Sequence, residues 1–136
     1  DYFLIQGYGS QGGLVFLAKK NNGVTSCGNN AVVASNEWCH VFCTYDGAAV
    51  AIYTNGALAG SSLLPGPIDD DQLPLRIGAS DDGKYFTGIM DETRVERVAR
   101  SADWIKACYD SQRAGGAFST LSPVTATWDG SMISIR

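Results

Sequence analysis

Three carboxylates, Asp91, Glu92 and Glu96, stand close together in the chain. A carboxylate pair can cleave a glycosidic bond, one group acting as acid and the other as nucleophile or base. The carboxyls must then lie about 5.5 Å apart for retention or about 6.5–9.5 Å apart for inversion. The stretch around them reads as a strand, in which Asp91 and Glu92 point to opposite faces. Glu92 and Glu96 share a face, but about 13 Å apart at roughly 3.3 Å per residue. Neither arrangement serves hydrolysis. His40 is the sole histidine, and no serine has beside it the base that a Ser-His-Asp site requires. Between Cys39 and Val41, His40 reads as a strand residue rather than a metal ligand or catalytic base. The chain is therefore not expected to be an enzyme.

Gly7-Tyr8-Gly9-Ser10-Gln11-Gly12 matches G-x-G-x-x-G and comes after a strand-like run, the setting of a dinucleotide site. The residues downstream do not fit one. The run 14–18 is short and stops at Asn21-Asn22-Gly23, so no helix N-terminus is available for a pyrophosphate, and no acidic residue lies about 20 positions on. The segment is a glycine-rich turn, and no nucleotide cofactor is expected. The four cysteines, Cys27, Cys39, Cys43 and Cys108, are an even set that permits disulfides in an oxidising compartment. On one strand Cys39 and Cys43 lie about 13 Å apart, beyond the roughly 7 Å that a bridge spans. Any bridge joins one of them to Cys27 or Cys108. One disulfide is expected, the alternative being small buried thiols.

The elements that must carry these residues are set by glycines, tyrosines and turns. With 136 residues, the chain is long enough for one core between two layers. Sixteen glycines and only 18% charged residues favour short strands joined by tight turns. Strands are expected over 2–6, 14–18, 31–34, 38–45, 49–54, 75–77, 84–87 and 89–95. Asp46-Gly47 and Asn55-Gly56 mark hairpins, because both central residues of a type I′ turn need positive φ. Residues 61–72, with Pro65, Gly66, Pro67 and three aspartates, read as a surface loop. One short helix is expected near 102–110, capped by Ser101, with Asp103 where the helix dipole favours it. Its stripe of Trp104, Ile105, Cys108 and Tyr109 is expected to dock on the sheets as core. A further hairpin is expected over 124–135 across Asp129-Gly130, with Val124, Ala126, Trp128, Ile133 and Ile135 on one face.

A net charge of -4 with no Lys/Arg run argues against nucleic acid and against a charged membrane surface. No apolar stretch approaches the roughly 20 residues of a membrane span. The chain opens at Asp1, as a mature, processed or excised chain would.

Trp38, His40-Val41, Thr44-Tyr45-Asp46-Gly47, Ile52-Tyr53, Asn55-Gly56, Ile77-Gly78, Phe86, Gly88, Met90-Asp91-Glu92 and Arg94-Val95 form a linked series. Val98-Ala99-Arg100-Ser101-Ala102-Asp103-Trp104-Ile105 closes it. In order and spacing the series resembles the laminin-G-like, concanavalin A-like domains of bacterial surface proteins, over roughly residues 38–112. The resemblance implies an all-β jelly-roll sandwich of two antiparallel sheets, secreted or at the cell surface. It also implies carbohydrate or protein binding, often with a structural calcium.

Such domains usually begin with about two strands ahead of the one resembled by 2–6, and those are absent here. The expected division is a sandwich over 1–121 and a C-terminal hairpin over 122–136, which completes the sandwich or contacts a neighbouring copy or domain. Alternatively the hairpin opens a following domain and the chain is a fragment. In related sandwiches an aspartate in the matching strand can anchor calcium, which makes Asp91 the metal candidate, with companion oxygens often drawn from the missing strands. The acidic loops Asp69-Asp70-Asp71 and Asp81-Asp82 read as solvated surface. Sugars stack on exposed aromatic rings, for which Tyr8, Tyr85 and Trp128 are the candidates. The function implied is a non-catalytic adhesion or recognition module for a glycan or an extracellular protein. The alternatives are a structural subunit or spacer of a surface assembly, and an accessory module of a larger glycoside hydrolase.

Overall fold

The computed structural model describes residues 2–8, 13–34, 36–70, 72, 74–79, 83–113 and 115. The expected hairpin over 124–135, with Trp128, lies outside them. Two antiparallel three-stranded sheets and one helix make up the described fold, an all-β jelly-roll sandwich. The first sheet runs β1 (Tyr2–Tyr8), β2 (Gly13–Lys20), β3 (Gly23–Val32). The second runs β4 (Val41–Tyr45), β5 (Ala49–Thr54), β6 (Ala57–Leu63). Each sheet is a meander, because short turns can join only neighbouring antiparallel strands.

The turns decide the registers. Asn21 and Asn22 take φ of 50° and 61° and join β2 to β3, so that Lys20 pairs with Gly23. Asn55 and Gly56, at 50° and 78°, join β5 to β6 with Thr54 opposite Ala57. Both have the pair of positive φ values that matches the right-handed strand twist. The Asp46-Gly47 turn differs: Gly47 alone has positive φ, at 90°, and the Asp46 carboxylate accepts from the amides of Ala48 and Ala49, each at 2.8 Å. β3 is longer than the expected strand over 31–34, because the asparagine turn lets the chain pair with β2 from Gly23 onward.

Leu14, Phe16 and Ala18 alternate along β2 and form one core cluster with Cys27 of β3, Val50 and Ile52 of β5, and Leu64. Val50 and Ile52 are fully enclosed. Burial of side chains of this size contributes about 1.5–3 kcal/mol each. The sheets also meet where the Ser62 hydroxyl donates to the Ser26 carbonyl at 2.7 Å. The loop after β6 clasps the β2–β3 turn. Asp69 accepts from the amides of Asn21 and Asn22 at 2.9 and 3.2 Å, and its own amide donates to the Lys19 carbonyl at 2.9 Å.

Helix α1 (Ala102–Gln112) starts where expected, with Ser101 Oγ accepting from the Trp104 amide at 3.3 Å. Its buried residue is Ile105. The helix rests on the β5–β6 turn: a Cβ placed on Gly56 would lie 2.9 Å from Tyr109 Cδ1 and 3.3 Å from Lys106 Cα.

Two expectations are corrected. The strands expected over 75–77, 84–87 and 89–95 are not formed: within this stretch an isolated bridge joins Ala79 to Tyr85, and the Phe86 amide donates to the Gly78 carbonyl at 2.8 Å. A strand needs a neighbour for its amides and carbonyls, and among the described residues none lies alongside. Glu92 also adopts φ of 51°, which breaks an extended run. The expected disulfide is absent as well. All four cysteines are free thiols, with Cys27 in the core and Cys43 packed against it. Burial pushes the Cys27 thiol up to about 11. Burial, with Cys27 as a neighbour, pushes Cys43 up to about 12.

Candidate functional site

The described residues of 75–98 present apolar side chains to solvent. Leu75 and Ile77 are exposed, as are Tyr85, Phe86, Ile89, Met90, Val95 and Val98. Local contacts shape part of it. Met90 Cε lies 3.6 Å from where a Gly78 Cβ would sit, and an isolated bridge joins Ala79 to Tyr85. Tyr85 is 78% exposed, so its ring is free to stack on a ligand. Tyr8 lies on a different element, at the end of β1, where its backbone pairs with Gly13 beyond a register shift. The third aromatic candidate, Trp128, is outside the described residues.

Asp91 sits in the same stretch, exposed, with Oδ1 accepting from the Glu92 amide at 2.8 Å. Among the described residues no three His, Cys, Asp or Glu side chains converge on one point. Calcium takes six to eight oxygens, and Asp91 offers one carboxylate already bonded to a local amide. Asp69 is engaged by two amides, and Asp70 Oδ1 accepts from the Gln72 amide at 3.0 Å. Asp71, Asp81 and Asp82 lie outside the described residues.

The carboxylates weighed for hydrolysis are held by separate arginines. Glu92 pairs with Arg94 at 2.7 Å, and Glu96 with Arg100. Glu92 raises the pKa of Arg94 above its ordinary value by accepting its hydrogen bond. Since Glu92 is not in extended backbone, the separation derived from strand geometry does not apply.

A second cluster, not foreseen from the sequence, joins β4 to α1. His40 stacks over Phe42 with centroids 6.3 Å apart and tilts against Tyr109 at 5.9 Å. Phe42 meets Trp104 edge-on at 5.7 Å, and the Arg100 guanidinium lies 4.7 Å from the Trp104 ring centroid. The helix aromatics are thus packed, as their stripe indicated. The clue to His40 was its place in the Trp38–Tyr45 run, but its ring partners come from elements distant in sequence.

A family model described as the concanavalin A-like lectin/glucanases superfamily, of laminin G type, matches residues 1–106. The chain belongs to this superfamily. The match takes in both sheets and the start of α1, and so extends beyond the series read from the sequence. The fold is also similar to a crystal structure of residues 221–444 of an S-layer domain-containing protein from Clostridium thermocellum. That likeness has a TM-score of 0.51 and 23% identity over 79% of this laminin-G-type chain. The chain spans 61% of that structure's length. No curated protein matches.

Proposed function

We propose that this laminin-G-type domain is a non-catalytic recognition module of an exported bacterial surface protein, and that it binds a glycan or an extracellular protein. The observation that carries the reading is the exposed apolar stretch 75–98 with Tyr85 standing out of it, on a domain of the concanavalin A-like superfamily. Aromatic rings free on one side supply the stacking faces that sugars and peptide side chains use. The pairing of Glu92 and Glu96 with separate arginines supports a non-catalytic role. Calcium at Asp91 belongs to the proposal only with oxygens from beyond the described residues.

The test is a glycan array and an extracellular-protein array probed with the domain and with Tyr85→Ala, each with and without EDTA. The proposal expects a discrete set of ligands that the variant loses. Loss on adding EDTA would add the metal to the reading. Hydrolysis of an arrayed glycan would overturn the non-catalytic role, and binding untouched by the variant would overturn the assignment of the surface.

The exposed apolar stretch also favours a second reading, a subunit of a surface assembly. The solved structure that this fold resembles comes from an S-layer domain-containing protein. Native mass spectrometry over a range of concentrations separates the two, since an assembly subunit forms oligomers that removal of residues 122–136 or Ile89→Ser abolishes. A monomer at every concentration supports the module.

A further inference from the structure

Histidine in this chain has an unusual setting. The His40 ring lies between Phe42 on β4 and Tyr109 on α1, with centroids 6.3 and 5.9 Å away. Its Nδ1 is buried and has no hydrogen-bond partner among the described residues. Its backbone is pinned: the amide donates to Asn55 Oδ1 at 3.0 Å, and the carbonyl accepts from the Asn55 amide at 2.8 Å. Asn55 belongs to the turn on which α1 rests through Gly56 and Tyr109. Strand start, turn and helix therefore meet at one half-buried imidazole.

We propose that His40 is an acid-operated latch, whose protonation loosens α1 from the sandwich while the two sheets stay folded. A neutral ring fits between two aromatic faces. An imidazolium carries a donor on each nitrogen, and on this half-buried ring the Nδ1 donor would be enclosed without an acceptor, which is costly. Burial already holds the His40 pKa below its ordinary value, and no charged neighbour contributes to that shift.

The charged groups around the latch are paired with one another or exposed. On α1, Asp110 pairs with both Lys106 and Arg113, and Arg113 also lies 5.8 Å from the Tyr109 ring centroid. Arg100, just before the helix, pairs with Glu96 and covers Trp104. Asp103, in the first helical turn, is exposed. On the sheet side the titratable groups nearest in sequence are Cys39, whose thiol donates to the His40 carbonyl at 3.8 Å, and exposed Glu37. Tyr53 of β5 pairs opposite Phe42, and the Asn55-Gly56 turn carries no charge. None of these contacts supplies an acceptor to Nδ1. The helix is the element to yield, because Ile105 is its buried residue while the sheets share a continuous core.

Linkage sets the sign. A histidine whose folded pKa is lowered favours the closed state fully at pH values above its unfolded pKa, about 6.5. That preference is lost as pH falls from there through the lower folded value. Each unit between the closed and released pKa values is a tenfold change in the closed-to-released ratio.

The experiment is amide hydrogen exchange on the full chain between pH 7.5 and 4.5, corrected for intrinsic exchange rates, beside NMR titration of the His40 ring. Protection of the α1 amides is expected to fall across the His40 titration, while protection at Val50 and Ile52 holds. His40→Phe, which keeps a ring between Phe42 and Tyr109, is expected to remove the pH dependence, and His40→Gln serves as a second neutral variant should Phe perturb the fold. The proposal is overturned if α1 protection does not change with pH or if both variants keep the wild-type profile. It is equally overturned if the ring titrates above 6.5, which would mean that the aromatic faces hold the imidazolium as a cation.

Discussion

Replacing Gly56 with alanine tests how α1 is seated. Two costs are expected, and the structure separates them. A residue with a Cβ in the left-handed region, here φ of 78°, costs about 1–2 kcal/mol. The added methyl would also stand 2.9 Å from Tyr109 Cδ1, closer than real Cβ contacts come, and 3.2 Å from Tyr109 Cβ, tighter than most. Forcing a methyl into packed neighbours costs about 1–3 kcal/mol. Gly56→Ala is thus expected to destabilise by about 2–5 kcal/mol in total. Gly47→Ala is the internal control, because Gly47 has φ of 90° but nothing within 4 Å of its missing Cβ. It is expected to incur the conformational part alone. Urea unfolding followed by far-UV circular dichroism gives both values from the midpoints, provided the slopes agree. In a Tyr109→Ala background Gly56→Ala should approach the Gly47→Ala cost, a coupling of about 0.5–3 kcal/mol. Equal costs at the two glycines, or no coupling to Tyr109, would refute the seating of α1 on this turn.

Three further outcomes are expected. Ile52→Ala removes a fully enclosed side chain from the core between the sheets and should cost about 2–5 kcal/mol by the same unfolding assay. A thiol reagent at pH 7.5 should titrate all four cysteines only in denaturant. Cys27 and Cys43 should stay silent in the native protein, because burial keeps them as thiols. Asp46 is held below the ordinary carboxylate range by the amides of Ala48 and Ala49. Its contribution to stability is therefore present above the ordinary carboxylate pKa and lost as pH falls through the lower folded value. Unfolding midpoints of the wild type should converge on those of Asp46→Asn in that acid range.

Local chemistry made much of the fold legible before any coordinates. Asn55-Gly56 and Ser101 are features whose physics is complete within a few residues, namely a φ requirement and a side chain bonding an amide three residues on. The short apolar run 14–18, ended by Asn21-Asn22-Gly23, likewise marks a strand by its length and its turn. The stretch 75–98 misled for the same reason. Its apolar pattern records that the residues suit a sheet, but a strand exists only beside another strand, and a one-dimensional pattern does not say whether that partner is at hand. His40 was read as an ordinary strand residue, since its distinctive partners, Tyr109 and the Asn55 turn, are brought to it by folding. The cysteines posed a similar problem. An even count permits bridges, but the core that encloses Cys27 and Cys43 keeps them as small apolar groups. Among the site candidates, Tyr85 is exposed, and Asp91 lies in the stretch that does not form the expected strand.

The central claim is that this superfamily member binds a ligand through the exposed stretch around Tyr85 without chemically altering it. The most direct measurement is titration of an array-identified ligand into the wild-type domain and into Tyr85→Ala, with the recovered ligand analysed by mass spectrometry. The account predicts saturable binding by the wild type, at least tenfold weaker binding by the variant, and ligand recovered at unchanged mass. Equal affinities, or a recovered ligand shortened by hydrolysis, would contradict it.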